Sequence, residues 1–329
     1  MKFSNGCWLQ KEGCFAPAEA YFTKIEEKKV TICAPTAHIV TRGDTLGGIN
    51  LTLEITSPAP EILRVRTYHY KGEVVNTPSF ELELKEELPL DVTDSEEEIS
   101  IKSGELTLVI TKKNWSMTYY RNGEMITRSA GRDLALMKTD FKGFAYNDTD
   151  AEETYMRQML SLSVGELVYG TGERFTPFVK NGQSIDIWNA DGGTSTEQSY
   201  KNIPFFITNK GYGVLVNHPE KVSIEVATEM VTRTEFSVPG GYLDYFLING
   251  PTMKEVLTRY TDLTGKPSLP APWTFGLWLS TSFTTNYDEA TVMSFIDGML
   301  DRGIPLRTFH FDCFWMKEFH WSDFVWDNR

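Results

Sequence analysis

Hydrophobic and polar residues alternate with a period of two through much of the first 250 residues, which is the pattern of half-buried β-strands. The clearest runs are residues 80–84, 99–101 and 106–110, where the apolar side chains fall on one face. The acidic residues 91–98 interrupt these runs and predict a solvated loop. Antiparallel strands with short turns, and no strong helical periodicity, predict a β-sandwich over residues 1–249.

Two turn signals indicate how neighbouring strands are connected. Asn122-Gly123 lies between the alternating residues 115–119 and Met125-Ile126. This dipeptide favours a type I′ hairpin, because both central residues of that turn need a positive φ. A second hairpin is predicted where residues 205–208 turn over Asn209-Lys210-Gly211. We therefore expect these strands to pair in the antiparallel direction.

Two segments break the strand pattern. Val168-Tyr169-Gly170-Thr171-Gly172-Glu173-Arg174-Phe175 has no third glycine at the spacing of a phosphate-binding loop, no Gly-Lys-Ser/Thr and no following helix. It predicts a sharp β-turn with a buried Glu–Arg neighbour pair. Residues 188–200 form a polar, glycine-bearing loop of about a dozen residues, a length that is often functional. An ordinary surface loop fits the sequence equally well.

The pattern changes after residue 250. Apolar residues at i, i+3 and i+4 spacing from Met253 to Leu263 predict one helix. It ends at Gly265-Lys266-Pro267, and the stiff Leu269-Pro270-Ala271-Pro272 follows. We interpret residues 250–269 as a helical linker between domains.

Residues 270–329 read as a strand, a helix and a strand. The apolar run 275–279 predicts a strand that is buried on both faces, residues 288–302 an amphipathic helix, and residues 306–311 a second strand. This order predicts a βαβ unit. Polar and aromatic segments follow both strands, as at the C-terminal face of a (β/α)₈ barrel. Such a barrel needs roughly 250 residues, so we expect residues 270–329 to form only its first part.

Charge and composition narrow the function classes. The chain has 45 acidic and 32 basic residues, a net charge of −13 and no Lys/Arg block, which argues against a nucleic acid partner. No stretch of about 18 apolar residues predicts a membrane-spanning helix, and the N-terminus lacks the apolar run of a signal peptide. The four cysteines have no CxxC spacing, so neither a disulfide framework nor a metal site is predicted. We expect a cytoplasmic protein without a cofactor.

The most informative chemistry lies in Thr308-Phe309-His310-Phe311-Asp312-Cys313-Phe314-Trp315-Met316-Lys317. A carboxylate that binds hydroxyls, beside flat aromatic walls, is typical of a sugar pocket. An acid directly after a buried strand is seldom a core residue, so Asp312 is expected to bind a ligand. Core packing remains open for Phe314 and Trp315, and on the residues alone it is favoured for Cys313. His310 is expected to be a satisfied core histidine.

Three motifs together resemble glycoside hydrolase family 31, most of all its bacterial intracellular α-xylosidases. They are Tyr169-Gly170-Thr171-Gly172-Glu173-Arg174-Phe175, Trp188-Asn189-Ala190-Asp191-Gly192-Gly193-Thr194-Ser195-Thr196-Glu197-Gln198 and Phe309-His310-Phe311-Asp312-Cys313-Phe314-Trp315-Met316. The resemblance implies a β-sandwich followed by a (β/α)₈ barrel that hydrolyses α-glycosidic bonds with retention, using two carboxyl groups. In this family both are aspartates on later barrel segments, beyond Arg329. We therefore expect no catalytic residue in this chain, and no activity from the chain alone.

The resemblance also implies substrate-binding roles at five positions. Asp312 would accept a hydrogen bond from a sugar hydroxyl. Cys313 and Phe314 would close the pocket where a hexose carries its hydroxymethyl group, which favours xylose over glucose. Phe283 would supply a stacking wall, and Asp191 would reach from the sandwich loop toward the pocket mouth. A carbohydrate is the implied partner, and self-association of the full-length protein is left open.

Two other functions fit the same residues. One is an α-glucosidase of the same family, in which Phe314 would not act as a size filter. The other is a non-catalytic sugar-binding β-sandwich, for which the loop that contains Asp191 would supply the binding surface. Saturable sugar binding that survives Asp312→Ala, but not a change in the loop that contains Asp191, would favour this last function.

Overall fold

The computed structural model describes residues 1–4, 13–46, 48–76, 79–84, 86–139, 153–190, 196–281 and 284–328. The chain forms two compact units, Met1–Gly265 and Lys266–Arg329, called the first and the second unit below. In the described part of the chain no helix is long and apolar enough to cross a membrane.

The first unit consists mainly of strands. In chain order they are β1 (Cys14–Phe15), β2 (Phe22–Glu26), β3 (Lys29–Pro35), β4 (Asn50–Ala59), β5 (Ile62–Tyr68), β6 (Asp91–Asp94), β7 (Glu98–Ser103), β8 (Leu106–Thr111), β9 (Ser116–Arg121), β10 (Glu124–Ala130), β11 (Leu134–Thr139), β12 (Glu153–Ser161), β13 (Val168–Gly172), β14 (Gln183–Ile187), β15 (Asn202–Thr208), β16 (Tyr212–Val216), β17 (Val222–Val226), β18 (Arg233–Pro239) and β19 (Tyr242–Asn249).

Helices and the strands of the second unit complete the fold. The helices are α1 (Lys71–Asn76), α2 (Met253–Thr264) and α3 (Glu289–Asp301), the further strands are β20 (Leu277–Leu279) and β21 (Leu306–Phe309), and short 3-10 helices lie at Arg42–Thr45, Pro272–Phe275 and Asp312–Trp315.

The strands of the first unit form three antiparallel sheets around a common core. Their orders are β13-β15-β16-β19-β5-β4-β3-β2, β1-β11-β12-β18-β17-β14 and β10-β9-β8-β7-β6. All three sheets contribute to one cluster of buried apolar side chains, for example through Leu53 of β4, Leu108 of β8 and Ile224 of β17. The prediction of a mainly β fold with a sandwich-type core is confirmed.

Both predicted hairpins are present. Asn122 and Gly123 have φ angles of 49° and 83°, as a type I′ turn requires, and they connect the antiparallel pair β9 and β10. The second hairpin joins β15 to β16, with Phe205 paired to Leu215. The turn signals therefore placed these two connections correctly.

The predicted strand at residues 80–84 is absent. This segment joins no sheet; instead Leu82 and Leu84 pack against a second apolar cluster that includes Leu263 of α2. The Glu83 N–H donates to the Leu263 carbonyl oxygen at 2.9 Å. Alternation identified the buried face correctly, but a strand also needs a neighbouring strand with free backbone groups, and here the segment lies beside a helix end.

The acidic stretch 91–98 is solvated, but it is not simply a loop. Its first part forms β6, which pairs with β7 at the edge of the five-stranded sheet, with Val92 opposite Ile101. Charged residues are common on edge strands, because they discourage the pairing of a further strand from another chain. The sequence signal for a loop was in fact the signal of an exposed edge strand.

Helix α2 is packed within the first unit. Its N-terminus has a capping box in which Thr252 and Glu255 bond each other's backbone N–H. Val256 and Leu263 are buried in the second apolar cluster, and the Tyr260 ring stacks on Phe205 with centroids 4.0 Å apart. The helix is where the sequence predicted it, but it belongs to the first compact unit rather than to a free linker.

The second unit contains a parallel strand pair connected by a helix. β20 and β21 pair in parallel, with Leu277 opposite Leu306, and α3 connects them. Asp288 caps α3 by accepting a hydrogen bond from the Thr291 N–H. The βαβ prediction is confirmed. β20 is not buried on both faces, because Leu277 and Trp278 are nearly half exposed in this chain.

Candidate functional site

Asp312 lies where the second unit's parallel pair ends. β21 stops at Phe309, and after two intervening residues the chain enters the 3-10 helix Asp312–Trp315. Asp312 has a φ of 54°, in the left-handed region that aspartate tolerates better than most residues. Its N–H donates to Nδ1 of His310 at 3.2 Å. The carboxylate is thus held on a sharp turn at the C-terminal end of a parallel strand, where βα folds bind ligands.

His310 was predicted to be a core histidine, and it is exposed in this chain, which contains only the first strands of the barrel. Its Nδ1 accepts the hydrogen bond from Asp312, and its ring lies 6.5 Å from that of Trp278. The predicted second strand reached residue 311, whereas β21 ends at Phe309, before this position. His310 therefore supports the turn that presents Asp312.

Phe314 stacks on a neighbouring aromatic ring. The Phe314 ring stacks on Tyr287 with centroids 5.6 Å apart, and Tyr287 also contacts Phe311 at 5.6 Å. Phe314 lines a cavity of about 440 Å³ together with residues of α3 and Trp315. This volume falls in the range of about 300–1,000 Å³ that is usual for small-molecule pockets.

Three of the five predicted substrate-binding residues are described, and all three share one helical turn. Asp312, Cys313 and Phe314 are each half-buried, so none is a fully buried core residue in this chain. Of these three residues, Phe314 is the one that lines the 440 Å³ cavity. Phe283 and Asp191 lie outside the described residues, and their roles remain predictions.

The Gly-Thr-Gly segment is a bulge that lets two strands approach closely. Gly170, Thr171 and Gly172 all have positive φ, and the pairing of β13 with β15 shifts register between the two glycines. A Cβ on Gly172 would lie 2.1 Å from the carbonyl oxygen of Lys201. The predicted sharp turn is instead a bulge inside strand β13. Glu173, predicted to be buried, is exposed and pairs with Lys201 at 3.1 Å.

Arg174, the next residue of that motif, links the described second part of the long loop to the end of β14. Its guanidinium donates to the backbone oxygens of Glu197 at 3.0 Å and Asp186 at 2.7 Å. Asn202 joins the two ends of the same loop, because its Nδ2 donates to the backbone oxygens of Trp188 at 2.9 Å and Ser199 at 2.6 Å. Sequence reasoning missed both roles. The motif pointed to Arg174, whereas nothing in the sequence marked Asn202.

A buried polar group lies close to the base of this loop. His218 and Glu220 follow β16, and His218 Nδ1 lies 3.1 Å from a carboxylate oxygen of Glu220. The hydrogen bond from His218 is the main cause that lowers the pKa of the Glu220 carboxyl. Neither residue was a sequence candidate. Across the described ranges, no group of three or more His, Cys, Asp and Glu side chains could hold a metal ion.

Two curated proteins are similar along nearly the whole chain. "Alpha-xylosidase XylQ" of Lactiplantibacillus pentosus is 44% identical over 333 residues, covering 100% of this chain and 42% of that protein. The "Alpha-xylosidase" of Emericella nidulans is 43% identical, covering 99% of this chain and 44% of that protein. The chain thus spans less than half the length of these curated relatives.

Solved structures share the fold. A dextranase of Flavobacterium johnsoniae, FjDex31A, matches with a TM-score of 0.73 at 18% identity, covering 94% of this chain and 35% of that chain. An α-xylosidase from a soil metagenome matches with a TM-score of 0.64 at 14% identity, covering 90% and 43%. At such identities the likeness concerns the fold alone.

Family descriptions match both units. Residues 52–225 match the "Glycosyl hydrolase 31 N-terminal galactose mutarotase-like domain", which is more than half of the chain. Residues 267–329 match the "Glycosyl hydrolases family 31 TIM-barrel domain", which agrees with the parallel strand pair of the second unit. The chain therefore belongs to glycoside hydrolase family 31.

Proposed function

We propose that the complete gene product that carries this chain is a retaining α-glycosidase that removes terminal α-linked xylose from oligosaccharides. The observation that carries this proposal is the 43–44% identity to two α-xylosidases over 99–100% of the chain. The three described candidate residues, on one turn after β21, are consistent with it. The substrate is therefore a carbohydrate.

In this proposal the turn after β21 selects the sugar. The Asp312 carboxylate accepts a hydrogen bond from a sugar hydroxyl, and hydrogen bonds to an ionised acceptor are roughly twice as strong as neutral ones. Cys313 and Phe314 occupy the space that the hydroxymethyl group of a hexose needs. The stacking of Phe314 on Tyr287 supports this role, because a ring held by a neighbour cannot easily move aside. Phe283 and Asp191 are proposed to complete the substrate contacts.

No residue of this chain is proposed as nucleophile or acid/base. Retaining glycosidases need two carboxyl groups about 5–5.5 Å apart, one as nucleophile and one as acid/base. The family resemblance assigns both to aspartates on later barrel segments. We therefore expect residues 1–329 alone to show no hydrolysis of an aryl α-xyloside. Turnover by this polypeptide would overturn the assignment.

The size filter can be tested by replacing Phe314 with alanine in the complete gene product. The ratio of kcat/KM for an aryl α-glucoside to that for the matching α-xyloside should rise by about tenfold or more. One extra carbon group on a substrate changes its binding in an apolar pocket by about 1–3 kcal/mol. Val164→Ala, at a fully exposed position of the first unit, is the control and should leave the ratio unchanged. An unchanged ratio in Phe314→Ala would refute the filter.

The same assay separates the alternative specificity. An α-glucosidase would already prefer the glucoside before any substitution. Asp312→Asn should lower kcat/KM for both substrates, because the carboxylate binds a hydroxyl that both sugars share. Full activity of Asp312→Asn would remove Asp312 from the proposed site.

A cytoplasmic location is proposed with this function. The described cysteines Cys33 and Cys313 are free thiols, which suits a reducing compartment. Cell fractionation of the source organism tests this proposal. Self-association of the complete protein also remains a prediction, which light scattering during size-exclusion chromatography would test.

A further inference from the structure

A second small cavity lies within the first unit, at the base of the loop 188–200. It has a volume of about 270 Å³, just below the usual range for drug-sized ligands, so it suits a group of about one ring. Phe80, Trp188, Asn189, His218 and Glu220 are among the residues that line it. These five side chains combine flat apolar surface with hydrogen-bonding groups.

The polar wall is held rigidly from behind. His218 is only 2% exposed, and its Nε2 accepts a hydrogen bond from the Asp244 N–H at 2.9 Å. This bond assigns the proton of the neutral ring to Nδ1, which donates to Glu220. Asp244 is fixed in turn by Arg64, through bonds of 2.9 and 2.6 Å. The Glu220 carboxylate is therefore oriented before any ligand arrives.

The charge state of Glu220 suits a ligand with hydroxyl groups. The bond from His218 lowers the pKa of the Glu220 carboxyl, so the group is ionised at neutral pH. An ionised carboxylate is a strong acceptor for O–H donors. It also repels phosphates and other anions, and an apolar ligand would desolvate the charge without compensating it.

The apolar part of the cavity wall consists of two exposed aromatic rings. Trp188 is 58% exposed and Phe80 is 41% exposed, although both line the cavity. The backbone of Trp188 is anchored by Asn202, so its ring stands on a fixed base. Asn189 accepts two bonds from Asn202 through Oδ1, which leaves its amide nitrogen as a donor in the described part of the chain.

We infer that this cavity binds one neutral pyranoside ring, with a C–H face against the aromatic rings and hydroxyl groups on Glu220 and Asn189. A ring of this kind uses the acceptor, the donor and the apolar wall together. This inference goes beyond the proposed function, because every contact it uses lies in the first unit and none involves the turn after β21.

The test uses the 329-residue chain with Asp312→Ala, which removes the carboxylate proposed to bind sugar in the second unit. Isothermal titration with methyl α-D-xylopyranoside and methyl α-D-glucopyranoside should show saturable 1:1 binding of at least one of them. Adding Trp188→Ala should raise the Kd at least tenfold. Adding Glu220→Gln, which keeps an acceptor but removes the charge, should raise it several-fold. These two side chains are not core residues, and circular dichroism checks that the variants fold.

Two matched controls make the result specific. Tyr200→Ala alters an exposed aromatic residue of the same loop outside the cavity, and Glu124→Gln removes an exposed carboxylate elsewhere in the first unit. Both should leave the Kd unchanged. The inference is overturned if neither pyranoside binds, if Trp188→Ala and Glu220→Gln bind as tightly as their parent, or if the controls lose binding equally.

Discussion

Glu235 is a buried carboxyl group whose chemistry follows from its surroundings rather than from its sequence position. It lies on β18, it is almost fully buried, and neither carboxyl oxygen has a hydrogen-bond partner in the described structure. Burial raises the pKa of Glu235 to about 8, and the charge of Arg157 opposes this shift. At neutral pH the six-stranded sheet therefore carries a protonated carboxyl. This sheet also contains β14, which leads directly into Trp188.

Replacing Glu235 with glutamine should stabilise the first unit in a pH-dependent manner. The folded-state pKa of Glu235 lies above its ordinary value of 4.5. The protonated carboxyl therefore contributes its full stability below pH 4.5, and this contribution is lost as pH rises to about 8. Glutamine does not titrate. The gain in free energy of unfolding should be near zero at pH 4 and reach a few kcal/mol above pH 8, at about 1.4 kcal/mol per pKa unit.

Urea denaturation at several pH values measures this gain. Glu124→Gln, at an exposed carboxylate, is the control and should show no such trend. A gain that does not change between pH 4 and pH 8 would contradict the raised pKa of Glu235.

At the scale of elements, the bulge in β13 explains why a family motif contains two glycines. Gly170 and Gly172 flank the buried Thr171, and all three have positive φ. The bulge bends the strand so that Arg174 can bond the backbone of the loop 188–200. The motif therefore fixes the described second part of that loop.

Gly172→Ala should destabilise the first unit more than a matched substitution at Gly182. Both residues have positive φ, which costs an alanine about 1–2 kcal/mol. A Cβ at Gly182 meets nothing within 4 Å, whereas at Gly172 it would overlap the Lys201 carbonyl oxygen at 2.1 Å. The clash should add about 1–3 kcal/mol to the cost of Gly172→Ala. Chemical denaturation of the two variants measures the difference, and equal costs would show that the strands do not approach so closely.

At the scale of the whole molecule, the boundary between the two compact units does not lie where the alternating sequence pattern ends. The alternating pattern stops near residue 250, yet the first compact unit extends to Gly265 because α2 packs on it. Val256 and Leu263 of this helix lie with Phe205 and Phe246 in the second apolar cluster. The helix is therefore part of the domain that the strands form.

A polypeptide of residues 1–265 should be more stable than one of residues 1–249. Removing α2 removes the buried side chains of Val256 and Leu263, each worth about 1.5–3 kcal/mol. Thermal and urea unfolding of the two polypeptides measure the loss. Within residues 1–265, Leu263→Ala should cost about 2–5 kcal/mol, whereas Leu257→Ala, at a partly exposed position, should cost far less. Equal unfolding midpoints for the two polypeptides would place α2 outside the cooperative unit.

Much of the fold could be predicted from the sequence because it depends on neighbours along the chain. Periodicity identified β7 and β8 and the helix α2, and the Asn122-Gly123 dipeptide identified its hairpin. The candidate site was predicted to the extent that a motif carried it: Asp312 and its neighbours were found, and His218 and Glu220 were not. A histidine and a glutamate two residues apart have no local signature until a cavity forms around them.

The sequence by itself determined which faces are apolar, where the tight turns fall, that the last elements form a parallel βαβ unit and which family the motifs resemble. Only the tertiary structure decided that residues 80–84 stay out of the sheets, that α2 packs within the first unit and that His218 bonds Glu220 in a cavity that Trp188 also lines. The physical reason is the distance along the chain between the residues that interact. A periodic pattern reports interactions between residues a few positions apart, whereas pairing and burial join groups far apart in the chain, such as the Tyr119 and Tyr245 hydroxyls, which share a 2.8 Å bond across 126 positions.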